Sequence, residues 1–200
     1  MKKANQVTGG SIRSGLLLGL LVLGLVSAVQ AAPADFEIDG VHSTVLFKIK
    51  HMNVGYAFGR FNEKSGTVKF DALDPAQSSM AITIQTASVD TANSNRDQHL
   101  RGPDFFDAKQ FPVMTFKSAS VKKTGEKTYD MTGELMIKGV KKTVTVPVEH
   151  VGTAEGRGGK TLVGAIAIFT IKRSDYGIDY MMGGLGDEVQ ITVAIEAGQK

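Results

Sequence analysis

An alternation of apolar and polar residues with a period of two recurs along most of the chain, and it constrains the fold more than any other feature. It is clear in residues 45–49, 68–70, 80–84, 114–116, 128–137, 144–148 and 189–195. Successive side chains of a β-strand point to opposite faces of the sheet, so each stretch predicts a strand with one apolar face. About eight such strands predict an all-β, antiparallel fold, either a closed barrel or a two-sheet sandwich.

Two segments depart from this alternation. Residues 162–171 are apolar on both faces, which predicts a strand of which one side meets another element. Residues 92–110 predict one short helical insertion, since Asn93 or Ser94 can cap a helix that ends at Gly102-Pro103. Turns are predicted at Lys64-Ser65-Gly66, Asp74-Pro75, Gly125-Glu126 and Lys138-Gly139, and an exposed loop is predicted over residues 152–160.

The first 31 residues have the three parts of a secretory signal. Lys2, Lys3 and Arg13 are basic, residues 16–26 form an uninterrupted apolar run, and Val29-Gln30-Ala31 offers small residues for cleavage. The run is too short for a membrane anchor, because a spanning helix needs roughly 20 apolar residues. We therefore predict a cleaved signal peptide over residues 1–31, a mature domain over residues 32–200 without a membrane span, and export from the cytosol.

The charge and the cysteine content exclude several classes of function. Removal of Lys2, Lys3 and Arg13 from the 23 Lys+Arg leaves 20 basic against 20 acidic side chains, so the mature domain is close to neutral. It therefore lacks the basic footprint of a nucleic-acid-binding protein. The absence of cysteine excludes disulfides and thiolate ligands, and the four histidines have no short-spaced ligand pair. We expect neither a metal nor another cofactor.

The apolar strand faces have two interpretations. The inward set is long, aliphatic and aromatic, and it includes Phe47, Phe61, Phe70, Met80, Ile82, Phe116, Met131 and Leu135. An ordinary packed core explains it, and so does a cavity for a flexible hydrocarbon chain, around which methionine repacks easily. Burial of a methylene is worth about 0.8 kcal/mol, so ten to fifteen of them could support micromolar affinity after the costs of association.

The polar residues of the helical insertion are also open to two interpretations. Asp97 and Arg101 have the i, i+4 spacing of a surface ion pair. Alternatively Arg96, Asp97 and His99 lie over one end of the barrel, where an arginine suits an anionic head group. Arg173 with Asp175 favours a salt bridge at a strand end over a head-group contact.

Histidine and serine residues near the first strand invite a hydrolase interpretation, which the geometry disfavours. His42 and Ser43 are adjacent, and adjacent strand residues point to opposite faces. The chain also has no Gly-x-Ser-x-Gly motif. His51 shares the parity of Phe47 and Ile49, so it is expected to point inward near a barrel end, either as a core histidine or as a hydrogen-bonding partner of a ligand head.

Short strings along the mature chain carry a family resemblance. They are Asp39, His42-Ser43, Phe47, His51, Gly59-Arg60-Phe61, Ser88-Val89-Asp90-Thr91, Arg96-Asp97-Gln98-His99-Leu100-Arg101, Asp104-Phe105-Phe106-Asp107, Phe111-Pro112, Thr115-Phe116, Gly133-Glu134-Leu135, Ile137-Lys138-Gly139-Val140, Lys142, Arg173-Ser174-Asp175-Tyr176-Gly177 and Gly186-Asp187-Glu188-Val189. In order and spacing the chain resembles the YceI-like, polyisoprenoid-binding family of periplasmic, lipocalin-like barrels. Tyr176 departs from the phenylalanine that is more common in the family.

The resemblance implies an eight-stranded lipocalin-like barrel that holds a long-chain isoprenoid, of polyprenyl or quinone type, or a related lipid, without catalytic residues. The side chains expected to contact the ligand are Phe47, His51, Phe61, Met80, Ile82, Phe105, Phe106, Phe116, Met131, Leu135, Ile166 and Ile168. Those expected at the mouth or head group are His42, Ser43, Arg96, Asp97, His99 and Arg173. A monomer and a homodimer are both left open.

Two other functional classes compete with a lipid carrier. One is a hydrolase or isomerase that uses Asp97 and His99. The other is a structural or stress-protective protein with a solid core. A continuous apolar cavity separates the carrier from the solid-core protein.

Overall fold

A computed structural model describes Met1 and residues 33–200. The rest of the predicted signal peptide lies outside the described residues, so its cleavage stays a prediction. The described strands are β1 (Ala34–Ile38), β2 (Thr44–His51), β3 (Gly55–Phe61), β4 (Lys64–Phe70), β5 (Ser79–Gln85), β6 (Val89–Asp90), β7 (Val113–Lys123), β8 (Thr128–Ile137), β9 (Val140–Glu155), β10 (Thr161–Lys172) and β11 (Leu185–Gln199), with a helix, α1 (Ser94–Leu100), after β6. Within residues 33–200, no helix is both long and apolar enough to cross a membrane.

The sheet closes into an eight-stranded antiparallel barrel. Its strands follow the order β1-β4-β5-β7-β8-β9-β10-β11, and β1 pairs with β11 to close the ring. Closure satisfies the backbone groups that an open sheet would leave at its edges. The predicted all-β barrel with one helical insertion is therefore confirmed, and the two-sheet sandwich is excluded.

One long barrel strand, β11, pairs with two different strands along its length. β11 pairs with β1 near its end, where Ile38 faces Ala197, and with β2 over the rest of its length, where Thr44 faces Ala194. At the break the Ser43 hydroxyl accepts a hydrogen bond from the Glu196 amide (3.0 Å) and donates one to the Glu196 carbonyl (3.1 Å). Since β3 pairs with β2 and β4 pairs with β1, the barrel wall continues above the closed ring as the β2–β3 hairpin.

The loops agree with the sequence in part. Tight connections occur at the predicted Gly125-Glu126 and Lys138-Gly139 turns, but the prediction at Lys64-Ser65-Gly66 is wrong. Those three residues begin β4, and Gly66 lies so close to the backbone carbonyl of Ala81 that a Cβ would clash with it. β9 continues to Glu155, so the predicted loop shortens to residues 156–160.

The barrel is solid at one end. Side chains of β1, β7, β8, β10 and β11 pack together there, namely Phe36, Ile38, Val121, Tyr129, Met131, Val163, Ile195 and Ala197, and all are buried. This end lies next to β1. The opposite end, next to the β2–β3 hairpin and α1, is the hollow one.

Candidate functional site

A cavity of about 850 Å³ occupies the hollow half of the barrel. Most of its wall consists of apolar side chains that point inward from eight strands, including Ile49, Ile84, Met114, Val146, Phe169, Ile171, Val189, Ile191 and Val193. The volume lies in the upper part of the range for pockets that bury small ligands, about 300–1,000 Å³. A solid-core protein is therefore excluded as an interpretation of the apolar faces.

Nine of the side chains predicted to contact a ligand lie on this wall. They are Phe47, His51, Phe61, Met80, Ile82, Phe105, Phe106, Phe116 and Leu135. Phe47, Phe61 and Phe106 form a continuous aromatic group, with ring centroids 5.8 and 5.5 Å apart. Their contact with a ligand stays a prediction.

Three of the predicted contact residues do not line the cavity. Met131 is buried in the solid half of the barrel, because the alternation gives the face of a strand but not the height along the barrel axis. Ile166 and Ile168 point to the outer side of β10, and Ile168 is half exposed. The sequence also predicts that one side of β10 packs against another element. This is wrong at Ile168, which is exposed on the outer side.

The residues that sequence reasoning missed lie on the opposite face of the same strand. Ala167, Phe169 and Ile171 line the cavity. Since both faces of β10 are apolar, its own sequence does not show which residues point into the barrel. A usable signal lies in β11, because Ala167 pairs with Val193 and Phe169 pairs with Ile191, two residues whose inward parity the alternation does predict.

Polar side chains of the cavity gather at the α1 end. The Arg96 guanidinium donates from Nε to the Thr91 hydroxyl and from Nη2 to the Thr91 carbonyl, both at 2.7 Å. His99 Nε2 lies 2.8 Å from Asp104 Oδ2, and the His99 ring packs edge-on against Phe105 and Tyr180. Arg96 and His99 line the cavity. Both therefore lie at the α1 end of the cavity, and their contact with a ligand head group stays a prediction.

Asp97 is a correction to the predicted mouth set. Its buried carboxylate accepts hydrogen bonds from the Thr91 amide (2.8 Å) and hydroxyl, so it fastens α1 to the end of β6. The predicted Asp97–Arg101 ion pair does not form, since Arg101 donates to the carbonyls of Ala87 and Val89 instead. Asp97 does not lie on the cavity wall, which leaves the proposed Asp97/His99 catalytic pair without a geometric basis.

Arg173 lines the cavity but is held by backbone, not by the predicted salt bridge with Asp175. Its buried guanidinium donates to the carbonyls of Ile178, Tyr180, Leu185 and Gly186, at 2.8 to 3.1 Å. Burial lowers the pKa of Arg173 from its usual value, and the nearby Asp187 and Asp179 oppose that shift. Arg173 therefore fixes the loop that borders the mouth.

His42 and Ser43 are also corrected, because neither lines the cavity. The Ser43 hydroxyl forms its hydrogen bonds with the Glu196 backbone, at the break between β1 and β2. His42 is an exposed residue whose Nδ1 lies 2.9 Å from Asp39 Oδ2. Hydrogen bonds from the His42 side chain and from the amides of residues 41 and 42 lower the pKa of Asp39 to about 2. Hydrogen bonding to Asp39 raises the pKa of His42. Glu196 Oε1 lies 3.9 Å from His42 Nδ1, and the side chains of Asp39, His42 and Glu196 form a surface ion-pair cluster.

Comparisons with known proteins agree on one family. A family model described as the YceI-like domain matches residues 36–197. The Escherichia coli O157:H7 protein YceI is 38% identical over 187 residues, which cover 92% of this chain and 97% of that protein. The crystal structure of Burkholderia cenocepacia BcnA is similar, with a TM-score of 0.73, 34% identity and coverage of 80% of this chain and 98% of that chain.

A more distant solved structure shares the fold. It is described as a polyisoprenoid binding domain from Saccharophagus degradans, implicated in plant cell wall breakdown. It has a TM-score of 0.63 and 17% identity, and the match covers 84% of this chain and 99% of that chain.

Proposed function

Because this chain belongs to the YceI-like family, we propose that it is an exported periplasmic carrier that holds one long-chain isoprenoid lipid, of polyprenyl or quinone type, inside its barrel. The observation that carries this proposal is the apolar cavity in one half of a barrel whose other half is solid. The polyisoprenoid binding domain from Saccharophagus degradans supports the ligand class, since it has the same fold. Export rests on the signal pattern in residues 1–31.

The size of the cavity limits the ligand. A water molecule occupies about 30 Å³ of liquid volume, so a cavity of about 850 Å³ has room for roughly thirty chain carbons of similar size. Each buried methylene contributes about 0.8 kcal/mol, and micromolar affinity needs about 8 kcal/mol beyond the costs of association. A single hydrocarbon tail of this length therefore suffices for binding, without extensive polar recognition.

The distribution of polar groups orients the ligand. The tail lies in the closed, apolar depth near Met80, Ile82 and Leu135, and the head lies at the mouth near Arg96 and His99. Two of the Arg96 nitrogens are already bonded to Thr91, and within the described residues Nη1 has no hydrogen-bond partner. Nη1 can therefore donate to an oxygen of the head group, whether a phosphate or a quinone carbonyl.

Storage or transport fits this site better than catalysis. Asp97 is turned to Thr91, and His99 pairs with Asp104 instead of with a nucleophile. The remaining groups at the mouth suit the binding of a head group. We propose that the bound lipid is carried unchanged.

Two neighbouring residues of β10 provide a direct test of the cavity. Ala167 is buried on the cavity wall, and Ile168 is on the outer face. Ala167→Phe fills part of the cavity, whereas Ile168→Phe adds similar bulk outside it. We expect Ala167→Phe to lower the affinity for a fluorescent polyprenyl or ubiquinone analogue at least about tenfold, and Ile168→Phe to leave it unchanged.

Circular dichroism and thermal unfolding of both variants show whether the barrel is intact. Equal affinities of two folded variants would contradict binding inside the cavity. If Ala167→Phe fails to fold, Ala57→Leu tests the same wall from β3, and Lys50→Leu, at an exposed position of the neighbouring strand β2 that does not line the cavity, is its control.

A further inference from the structure

Exposed apolar side chains surround the mouth of the cavity. We call this surface the rim, and it consists of Met52, Val54, Tyr56 and Phe58 of the β2–β3 hairpin and Tyr180, Met181 and Met182 of the loop before β11. Val54, at the hairpin tip, is 89% exposed. Clustered apolar exposure of this kind marks an interaction surface, whereas single exposed apolar residues are normal.

The two parts of the rim form one continuous, ordered surface. The Met52 amide donates a hydrogen bond to the Gly184 carbonyl at 2.7 Å, which joins the hairpin tip to the loop. Arg173 holds the same loop through the carbonyls of Ile178 and Tyr180. The rim is therefore fixed by hydrogen bonds in an exposed position, and the loss of side-chain and loop entropy on docking is reduced.

The rim is also continuous with the inside of the barrel. Val54, Tyr56, Phe58, Tyr180 and Met181 contribute to the cavity wall as well as to the outer surface. An apolar path therefore leads from the outer surface into the cavity. An occupant that is itself a hydrocarbon phase would cover the rim and the opening together.

The charge next to the rim favours an anionic surface. From Thr44 to Phe61 the chain has three basic side chains, Lys48, Lys50 and Arg60, and no acidic one. Arg60 is paired with Asp90, but Lys48 and Lys50 are on the outer face beside Phe58 and Tyr56. The Lys48 ammonium lies 5.0 Å from the centroid of the Tyr56 ring. The loop across the mouth adds one acidic side chain, Asp179.

This combination matches a membrane interface. Apolar side chains such as valine and methionine can enter the headgroup and acyl boundary, and tyrosine rings favour the headgroup level. Lysines near the surface are attracted to anionic lipids by about 1 kcal/mol each. A specific protein partner would need a shape-matched surface of about 800 Å² on each side.

We propose that the rim docks on the surface of an anionic phospholipid bilayer with the cavity mouth facing the lipid. Docking rests on the rim and its lysines alone. The consequence rests on the proposed function: an isoprenoid tail passes between bilayer and cavity without crossing water. Lipid binding in the cavity and docking of the rim are separate properties that can be measured separately.

The first test uses the fact that the chain has no tryptophan. Val54→Trp places a single emitter at the hairpin tip, and Leu73→Trp places one at an equally exposed site near the opposite, solid end of the barrel. Vesicles of phosphatidylethanolamine and phosphatidylglycerol are expected to shift the Val54→Trp emission to shorter wavelength and to leave Leu73→Trp unchanged. Brominated acyl chains are expected to quench only the first.

The second test removes apolar area from the rim without entering the cavity wall. Met52→Asn with Met182→Asn is suitable, because neither residue lines the cavity and asparagine tolerates the left-handed backbone of Met52 (φ 49°). Loss of two exposed apolar side chains that docking would bury should lower flotation with the anionic vesicles by about tenfold or more. Leu73→Asn is the matched control and should float like the wild type.

Several results would overturn this proposal. They are an equal shift of both tryptophan probes, no flotation of the wild type, and equal flotation with vesicles that lack phosphatidylglycerol. A further one is a dimer, seen by analytical ultracentrifugation, that the rim variant abolishes, because a second copy would then cover the rim. If the rim variant still binds a polyprenyl analogue in the absence of vesicles, failure of docking leaves the proposed function standing.

Discussion

Arg173 is a buried cation whose partners are backbone carbonyls. It donates four hydrogen bonds into residues 178–186, and Gly177 turns the chain toward that segment with a left-handed backbone (φ 66°). The planar guanidinium suits this task because its donors are fixed in one fork. A lysine has the charge but not the geometry.

Substitution of Arg173 should therefore destabilise the protein through the loop at the mouth. Arg173→Ala leaves four carbonyls without these donors, and we expect a loss of about 3–5 kcal/mol in the free energy of unfolding. Arg173→Lys should recover part of it, and Lys172→Ala, at an exposed neighbour, should cost little. Urea unfolding measures all three. Equal stability of Arg173→Ala and wild type would contradict the role of these hydrogen bonds.

The Asp39–His42 pair allows a prediction about pH. The lowered pKa of Asp39, about 2, means that its contribution to stability is present above pH 3.8 and is lost as the pH falls toward 2. The raised pKa of His42 means that its contribution is present below pH 6.5 and is lost as the pH rises through the raised value. The pair thus stabilises the fold mainly between about pH 4 and 6.5.

His42→Ala tests the cause of this shift. The His42 side chain is its largest cause, so the variant should raise the pKa of Asp39 from about 2 toward 3.8. The rise should be incomplete, because the backbone amides of Val41 and residue 42 still donate to Asp39. Carboxyl ¹³C NMR titration of both proteins gives the two values. An unchanged pKa would assign the whole shift to the backbone.

At the scale of elements, α1 is attached to the barrel by two side chains with opposite charges. Asp97 accepts from Thr91, and Arg101 donates to the carbonyls of Ala87 and Val89, so the helix is fixed over the end of β6. With seven residues, the helix is too short to be stable by itself. Its position beside the mouth therefore depends on these contacts.

Asp97→Asn should loosen this attachment locally. We expect a cost of about 1–3 kcal/mol, because a charged acceptor of two hydrogen bonds becomes a neutral one. Hydrogen exchange should become faster at Thr91 and in α1, with little change in the barrel strands. Glu126→Gln, at an exposed carboxylate in the turn between β7 and β8, is the control. Faster exchange throughout the barrel, or none in α1, would contradict local anchoring.

The elements also show what the sequence could predict. The alternation identifies the inward face of β2, β5 and β11 correctly, because one face of each strand is polar. It fails for β10, where Ile168 and Phe169 are both apolar and only the pairing with β11 decides which points inward. Asp97 and Arg101 have ion-pair spacing, but their partners come from residues 87–91, which helical spacing cannot reveal.

At the scale of the whole molecule, the barrel combines a packed half with a hollow half. The solid end contains Phe36, Met131 and Ile195, and the cavity begins above them near Met80 and Leu135. The alternation along β8 predicts that Met131 points inward, but it does not predict how far along the barrel axis Met131 lies. For that reason the prediction that Met131 lines the cavity is wrong. The packed end provides stability that a fully hollow barrel would lack.

A cavity of fixed depth predicts a limit in ligand length. Affinity for isoprenoids should rise with each added unit until about thirty carbons are buried, and longer tails should gain little, since the solid end blocks further entry. Titration with a series of prenyl alcohols of increasing length measures this. A steady rise beyond that length would contradict a closed-ended cavity.

The central claim is that the hollow half of the barrel carries one long isoprenoid lipid in the cell. The most direct measurement is purification of the exported protein from its native periplasm without detergent, followed by extraction with organic solvent and mass spectrometry. The account predicts about one polyprenyl or quinone-type lipid per protein chain, and a clear loss of that lipid in Ala167→Phe but not in Ile168→Phe. Extracts without any long-chain lipid, from folded protein that also fails to bind added prenyl lipids, would contradict it.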